Sequence, residues 1–422
     1  GFVDEEMRYR INAFDWEKGF HSAMMAGGFD AVIGNPPYVR QELLGEQKTY
    51  FKSKYHTYQG TADLYVYFIE LGVKLLKQGG LFSYIVANKW MRANYGKPLR
   101  QWLTQQCIEE IMDFGDLPVF QTATTYPCIL RIRKAPPRET FAAVEVETLD
   151  FADLSLYARE HQFTVNQQAL DEDTWTLADT HTQDLLAKLR QTGITLDEYV
   201  QGKIYYGIKT GYNEAFVINA ETRDRLIAQD PRSAELIKPF LVGRDVKRYQ
   251  TLNPDKFLIF ARHGLNIQNY PAIKEYLLQF KQRLMPRPKD WKGDNWAGRK
   301  PGPYEWYEIQ DTVAYYEEFE QPKIIYAEIA QVGRFTIDQE NIFGDTTTYI
   351  LGSDSKYLLG VLNSKLWTFL FSNISSEIRG GFYRWKRQYM APLPIRTIDF
   401  ADPADVARHD RMVGLVEQML DL

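Results

Sequence analysis

The order of apolar and polar positions divides the chain into stretches of different character. In the first, short apolar runs alternate with helical periodicity. Phe29–Gly34 (FDAVIG) is an apolar run ending on glycine and predicts a buried strand. Leu64, Phe68, Leu71 and Leu75 then recur at helical spacing, and Gly79-Gly80 stops that helix. LFSYIVAN predicts another buried strand, and YGKPLRQWLTQQC a helix with Pro98 near its first turn. IEEIMDFG and TYPCILRIRK predict two more strands. Strand, helix, strand, helix, strand is the pattern of a doubly wound α/β sheet. Two prolines and a charge cluster in Lys134–Thr140 break it, which places a boundary there.

The expected organisation is an α/β domain over 1–135, a connector over 136–195, a second domain over 196–396 and a C-terminal helix over 397–422. The connector holds one helix, TQDLLAKLRQTG, closed by Gly193. The second domain is mixed α/β and strand-rich. GKIYYGIKTGYNEAFVI reads as a hairpin, and FEQPKIIYAEI, GRFTID and TTYILG as further strands. Leu358, Leu362, Leu366 and Leu370 predict one helix, and Met412, Leu415, Met419 and Leu422 a docking seam on the last.

Composition narrows the class. The length, 422 residues, suits two or three domains. No stretch approaches twenty uncharged apolar residues, so no membrane span is expected, and residues 1–20 are too charged for a signal peptide. The two cysteines, Cys107 and Cys128, sit in apolar runs, which points to the reducing cytoplasm and away from a disulfide scaffold or zinc cluster. The six histidines are scattered, and no metal site is expected. A net charge of −5 does not exclude a nucleic-acid binder, because clustering of Lys and Arg decides that.

The candidate chemistry lies in Asn35-Pro36-Pro37-Tyr38, directly after the FDAVIG strand. Open α/β sheets bind ligands at the carboxyl ends of their strands. Two prolines stiffen the turn and remove backbone donors, leaving the carbonyls of Asn35 and Pro36 free to accept from a substrate amine. The Asn35 side chain adds an acceptor and Tyr38 a flat face. An aromatic amine is a poor nucleophile because its lone pair is delocalised. Two acceptors aimed at its N–H bonds stabilise the charge that grows as it attacks a methyl donor. Alone, such a loop also suits methylases of RNA bases or of protein glutamine.

GGFDAVIGNPPYVR resembles motif IV of amino-methyltransferases that use S-adenosyl-L-methionine. INAFDWEKGF before it and GTADLYVYFIELGVKLLKQGGLFSYIVANKWMRANYGKPLRQWL after it are similar to the catalytic domain of type IIG restriction–modification proteins and gamma-class DNA adenine methylases. GIKTGYNEAFVI, IKPFLVGRDVKRY, QPKIIYAEI, LLGVLNSKLWTFLF and RGGFYRWKRQYMAPLPI resemble a TaqI-like C-terminal specificity domain. The resemblance covers about residues 12–420. It implies a partial Rossmann-like methyltransferase domain followed by a target-recognition domain, and methyl transfer to the 6-amino group of a flipped adenine in double-stranded DNA. Asn35, Pro36, Pro37 and Tyr38 would be catalytic, and Tyr38 with Phe120, in GDLPVFQTATTYPCILRIRK, would wall the base.

It also implies a Gly-rich cofactor turn upstream of the motif, and no segment before Asn35 fits one. The chain is therefore expected to be a fragment, completed by an N-terminal half or another subunit, and inactive alone. A nuclease in the parent stays open, as does a purely DNA-binding specificity module.

The DNA-contact candidates are Arg379, Arg384, Trp385, Lys386 and Arg387 in one aromatic, basic stretch, and Lys289, Lys292, Arg299 and Lys300 in a long loop. Lys209 and Arg244 are further candidates. Asp63 and Glu70 read as surface or capping charges on a helix.

Overall fold

A computed structural model of the protein describes residues 14–422 apart from 46, 116, 121–124, 171, 173, 294, 376 and 379. The chain divides into two compact units, Gly1–Ala187 and Lys188–Leu422, and the division falls inside the helix Thr180–Gln191.

The first unit is built on a six-stranded mixed sheet. Its strands are β1 (Phe29–Gly34), β2 (Leu76–Ala87), β3 (Cys107–Asp113), β4 (Pro127–Arg133), β5 (Thr140–Glu145) and β6 (Phe163–Asn166), in the order β1-β2-β4-β3-β5-β6. β1 is parallel to β2, β3 is parallel to β5, and β4 runs antiparallel to both β2 and β3. It follows that β1, β2, β3 and β5 point the same way and end at one edge of the sheet. Helix α1 (Tyr65–Lys74) buries Val66, Ile69 and Val73, and Gly72 lies so close to the Phe82 ring that a β-carbon would clash. Helix α2 (Lys97–Leu103) carries Pro98 in its first turn and buries Leu99 and Leu103.

The first unit differs from the sequence reading in three places, the first being that α1 ends at Lys74 and Gly79-Gly80 lie inside β2 rather than stopping the helix. β1 is an edge strand, not a buried one: it pairs with β2, and Ile33 is 85% exposed. β5 and β6 lie in the stretch expected as a connector; Phe141, Ala143 and Val165 alternate inward and carry them into the sheet.

The second unit holds two four-stranded sheets. One runs Phe335–Asp338, Lys323–Ala327, Thr348–Leu351, Ile204–Tyr206, and the other Phe343–Gly344, Ile237–Leu241, Lys256–Ile259, Val217–Asn219. Ile329–Ala330, Phe382–Arg384 and Glu377–Ile378 form a smaller sheet. The expected hairpin is absent: Ile204–Tyr206 joins one sheet and Val217–Asn219 the other, with a helical turn at Asn213–Phe216 burying Ala215 and Phe216 between them. The expected leucine helix is two helices, Lys356–Leu362 and Lys365–Ile374. Asn363 leaves the helix to exchange two hydrogen bonds with the backbone of Phe335, and Ser364 caps the second helix. The break turns Leu366 outward, to 48% exposed. The last helix, Pro403–Leu420, docks through Met412 and Val416 against Gly360, while Leu415, Met419 and Leu422 face solvent. The docked face steps by four residues, from Met412 to Val416, and does not run through Leu415, Met419 and Leu422 as expected.

Candidate active site and nucleic-acid interface

Strand direction explains how the motif residues meet. The carboxyl ends of β1 and β3 share an edge with two strands between them, a separation of roughly 14 Å at the usual spacing. The segment after β3 reaches back across that gap. Its stem is tied by Phe114 N–H to Pro127 O (3.0 Å) and by Asn88 N–H to Tyr126 O (2.7 Å). The Asp113 carboxylate, 8% exposed, accepts from Asn88 Nδ2 at 2.7 Å and from Gly115 N–H at 3.0 Å. Gly115 has φ +53°, which suits glycine at the turn. The segment then brings Phe120 to Tyr38: the ring centroids are 6.3 Å apart and the planes meet at 69°.

β1 ends on Gly34 because the Tyr84 ring passes 2.9 Å from where a β-carbon would be. In the loop that follows, Asn35 and Pro37 are exposed and Pro36 is buried. Among the described residues, none donates a hydrogen bond to the carbonyl of Asn35 or Pro36. Tyr38 is half-buried, its hydroxyl donates to Ile85 O at 3.3 Å, and burial pushes its pKa up to about 12. Behind it lies buried Tyr65, with ring centroids 6.3 Å apart and its hydroxyl 2.9 Å from that of Tyr95.

Asp63 and Glu70 are not surface charges. Asp63 accepts from Gln41 N–H at 3.1 Å, and Leu64 N–H donates to Val39 O at 3.0 Å, so the chain after Tyr38 is fastened to the start of α1. Glu70 is fully buried and accepts from Thr57 N–H (2.9 Å) and His56 N–H (3.2 Å), with Lys74 2.5 Å away. Burial raises its pKa, but the Lys74 ammonium and the two N–H donors outweigh that and hold it below the ordinary value. Stability from a lowered carboxylate pKa is present above the unfolded value, about 4.3, and is lost as pH falls through the folded one. Glu70→Gln is therefore expected to cost about 1–3 kcal/mol at pH 7, and the deficit should shrink below about pH 4. Urea unfolding at both pH values checks this; an equal deficit at both would contradict it.

Asn88, Asp113, Tyr65 and Tyr95 were not foreseen from the sequence. The first two were readable as polar residues at the carboxyl ends of predicted strands. The tyrosines carry no local signal, since only the fold brings them behind Tyr38.

In the second unit the candidates separate. Arg299 is withdrawn as a DNA contact: it is 4% exposed, and its guanidinium donates to the carbonyls of Leu284, Thr210, Glu308, Glu305 and Trp306. Trp385 is withdrawn too: it is 1% exposed, stacks on Phe371 at 3.8 Å and donates from Nε1 to Ala330 O. Arg384 and Lys386 share Glu328, at 3.0 and 3.6 Å, and Arg387 pairs with Asp197 at 2.9 Å; all three remain about half-exposed. Lys209, Arg244, Lys289, Lys292 and Lys300 are exposed, Arg244 lying 3.7 Å from Asp245. Arg379 lies outside the described residues. Among the described residues no cluster of three or more His, Cys, Asp or Glu is placed to hold a metal, and no helix is long and apolar enough to cross a membrane.

Comparison with known proteins fits this division. Residues 3–120 match the Eco57I restriction-modification methylase family and residues 238–395 the TaqI-like C-terminal specificity domain. The chain is 27% identical to the type II restriction enzyme and methyltransferase RM.Eco57I of Escherichia coli, covering 97% of this chain and 43% of that protein. It is 27% identical to the type II methyltransferase M.PaeR7I of Pseudomonas aeruginosa (91% of this chain, 67% of that one) and 24% identical to M.BstVI of Geobacillus stearothermophilus (97% and 75%). Its fold is similar to that of the type IIL restriction-modification enzyme MmeI, solved in complex with DNA, with a TM-score of 0.59 at 14% identity over 97% of this chain and 51% of that one. The chain thus carries a segment matching the Eco57I-type methylases followed by one matching the TaqI-like specificity domain, and along most of its length it is similar to type II restriction–modification methyltransferases.

Proposed function

We propose that the protein carrying this chain transfers a methyl group from S-adenosyl-L-methionine to the 6-amino group of an adenine flipped out of double-stranded DNA. The observation that carries this reading is the loop after β1: unclaimed carbonyls on Asn35 and Pro36 beside two aromatic rings, Tyr38 and Phe120, that converge from separate strands. The Asn35 side chain and the Pro36 carbonyl accept the two amine N–H bonds, draw the nitrogen toward pyramidal geometry and stabilise its developing positive charge. The ring of Tyr38, fixed by its bond to Ile85, gives the base a stacking face. Phe120 now sits edge-on to Tyr38, so it swings outward to admit the base. Each aromatic contact contributes about 1–3 kcal/mol, which offsets the unstacking cost of flipping.

Gly28, the turn glycine ahead of β1, is packed so close to the backbone of Leu75, Leu76 and Lys77 that it leaves no open cradle for a methyl donor there. The residues named here act on the amine. The second unit is the DNA-reading part, with the exposed lysines at its disposal.

The test is competition. Labelled methyl donor is offered to the protein with duplex DNA, RNA and protein acceptors together. Label is expected in the DNA fraction; label confined to RNA or protein would overturn the reading.

A further inference from the structure

The long basic loop of the second unit is a rigid mount rather than a slack connection. Its neck is closed by Arg287 N–H to Arg299 O (3.0 Å) and Arg299 N–H to Met285 O (2.9 Å). The buried Arg299 guanidinium ties that neck to three segments of the unit, through the carbonyls of Leu284, of Thr210 and of Glu305, Trp306 and Glu308. Inside the loop, Trp296 Nε1 donates to Met285 O at 3.0 Å, and Trp291 rests edge-on against Trp296, with centroids 5.0 Å apart at 68°. Gly293 lies beneath the Trp291 indole, where a β-carbon would sit 2.7 Å from its ring. All nine tryptophans are described, and Trp291 alone is exposed, at 43%, whereas Trp90, Trp175, Trp367 and Trp385 are fully buried. Arg287, Lys289, Lys292 and Lys300 are exposed on the same loop.

An indole held in water by its own supports gives up apolar burial that a small rearrangement would recover. Its placement among four cations suits an anionic polymer with flat apolar faces. We propose that Trp291 is the aromatic anchor of this loop on double-stranded DNA, lying against a sugar or a base step in the groove while Arg287, Lys289 and Lys292 hold the flanking phosphates. This rests on the DNA reading given above. An anchor fixed before binding loses little side-chain freedom on contact, which favours a rigid Trp over another lysine.

The two kinds of contact differ in salt dependence. A phosphate contact contributes about 0.9 to the slope of log affinity against log salt, whereas an apolar aromatic contact contributes none. The experiment measures duplex binding of the whole chain across a salt series, for wild type, Trp291→Ala, Trp291→Phe and Lys289→Ala/Lys292→Ala, with unfolding midpoints taken for each. Trp291→Ala is expected to weaken binding about tenfold or more at every salt concentration, with the slope unchanged. Trp291→Phe should recover most of that loss, and the double lysine variant should reduce the slope by about two. Wild-type affinity in Trp291→Ala would overturn the anchor and leave the DNA reading intact. So would a loss that Phe does not recover, since it would assign the indole to folding of the loop. No salt-dependent binding by the wild type would overturn the DNA reading and the anchor with it.

Discussion

Asn35→Ala is expected to lower methyl transfer by about two to three orders of magnitude while leaving duplex affinity within about twofold. That is the range seen when one preorganised polar group facing developing charge is removed. The substitution deletes the side-chain acceptor but leaves the Pro36 carbonyl, so one of two amine contacts survives. Asn35 is exposed and no described residue hydrogen-bonds to it, so folding should be untouched. Asn35→Asp is the informative companion: it keeps an acceptor and adds a charge, and activity should return in part. Single-turnover methylation at saturating DNA, with equilibrium binding of the same variants, makes the measurement. A fall in binding matching the fall in rate would instead make Asn35 a DNA contact.

The second large effect is structural. Arg299→Ala is expected to destabilise the protein by about 3–5 kcal/mol, the range for breaking a buried polar network. Five carbonyls lose a common donor, at 2.7, 3.0, 2.7, 3.2 and 3.1 Å. The Tyr304 ring loses the cation 4.5 Å from its centroid. Arg299→Lys should restore less than half, because an ammonium has three donors and no planar fork to reach acceptors on separate segments. Urea unfolding checks both variants; a loss below about 1 kcal/mol would show that water readily replaces the guanidinium. The loop carrying Trp291 should also become protease-sensitive in Arg299→Ala, since its neck closes on that residue.

The α/β order of the first unit was legible because its strands are apolar runs and its helices are amphipathic. Asn35 to Tyr38 stood out because a rigid Pro-Pro turn follows a strand, and the structure places that turn at the carboxyl end of β1. Depth was not legible. Phe29–Gly34 has the composition of a buried strand yet is an edge, since composition records what a strand can bury and not how many neighbours it has. Arg299 and Trp385 sit among basic and aromatic residues that look alike in sequence, and only the fold turns these two inward. Glu70 reads as a solvent charge because its partners, the backbone N–H groups of His56 and Thr57, come from a turn thirteen and more residues away. The hairpin misreading has the same origin: alternation predicts strands, but not that two adjacent ones enter different sheets.

The most direct measurement is the nucleoside composition of duplex DNA methylated by the protein that carries this chain, with the Asn35→Ala variant as control. The account predicts N6-methyladenine from the wild type and almost none from the variant. Methylation on cytosine, or N6-methyladenine undiminished by Asn35→Ala, would contradict it.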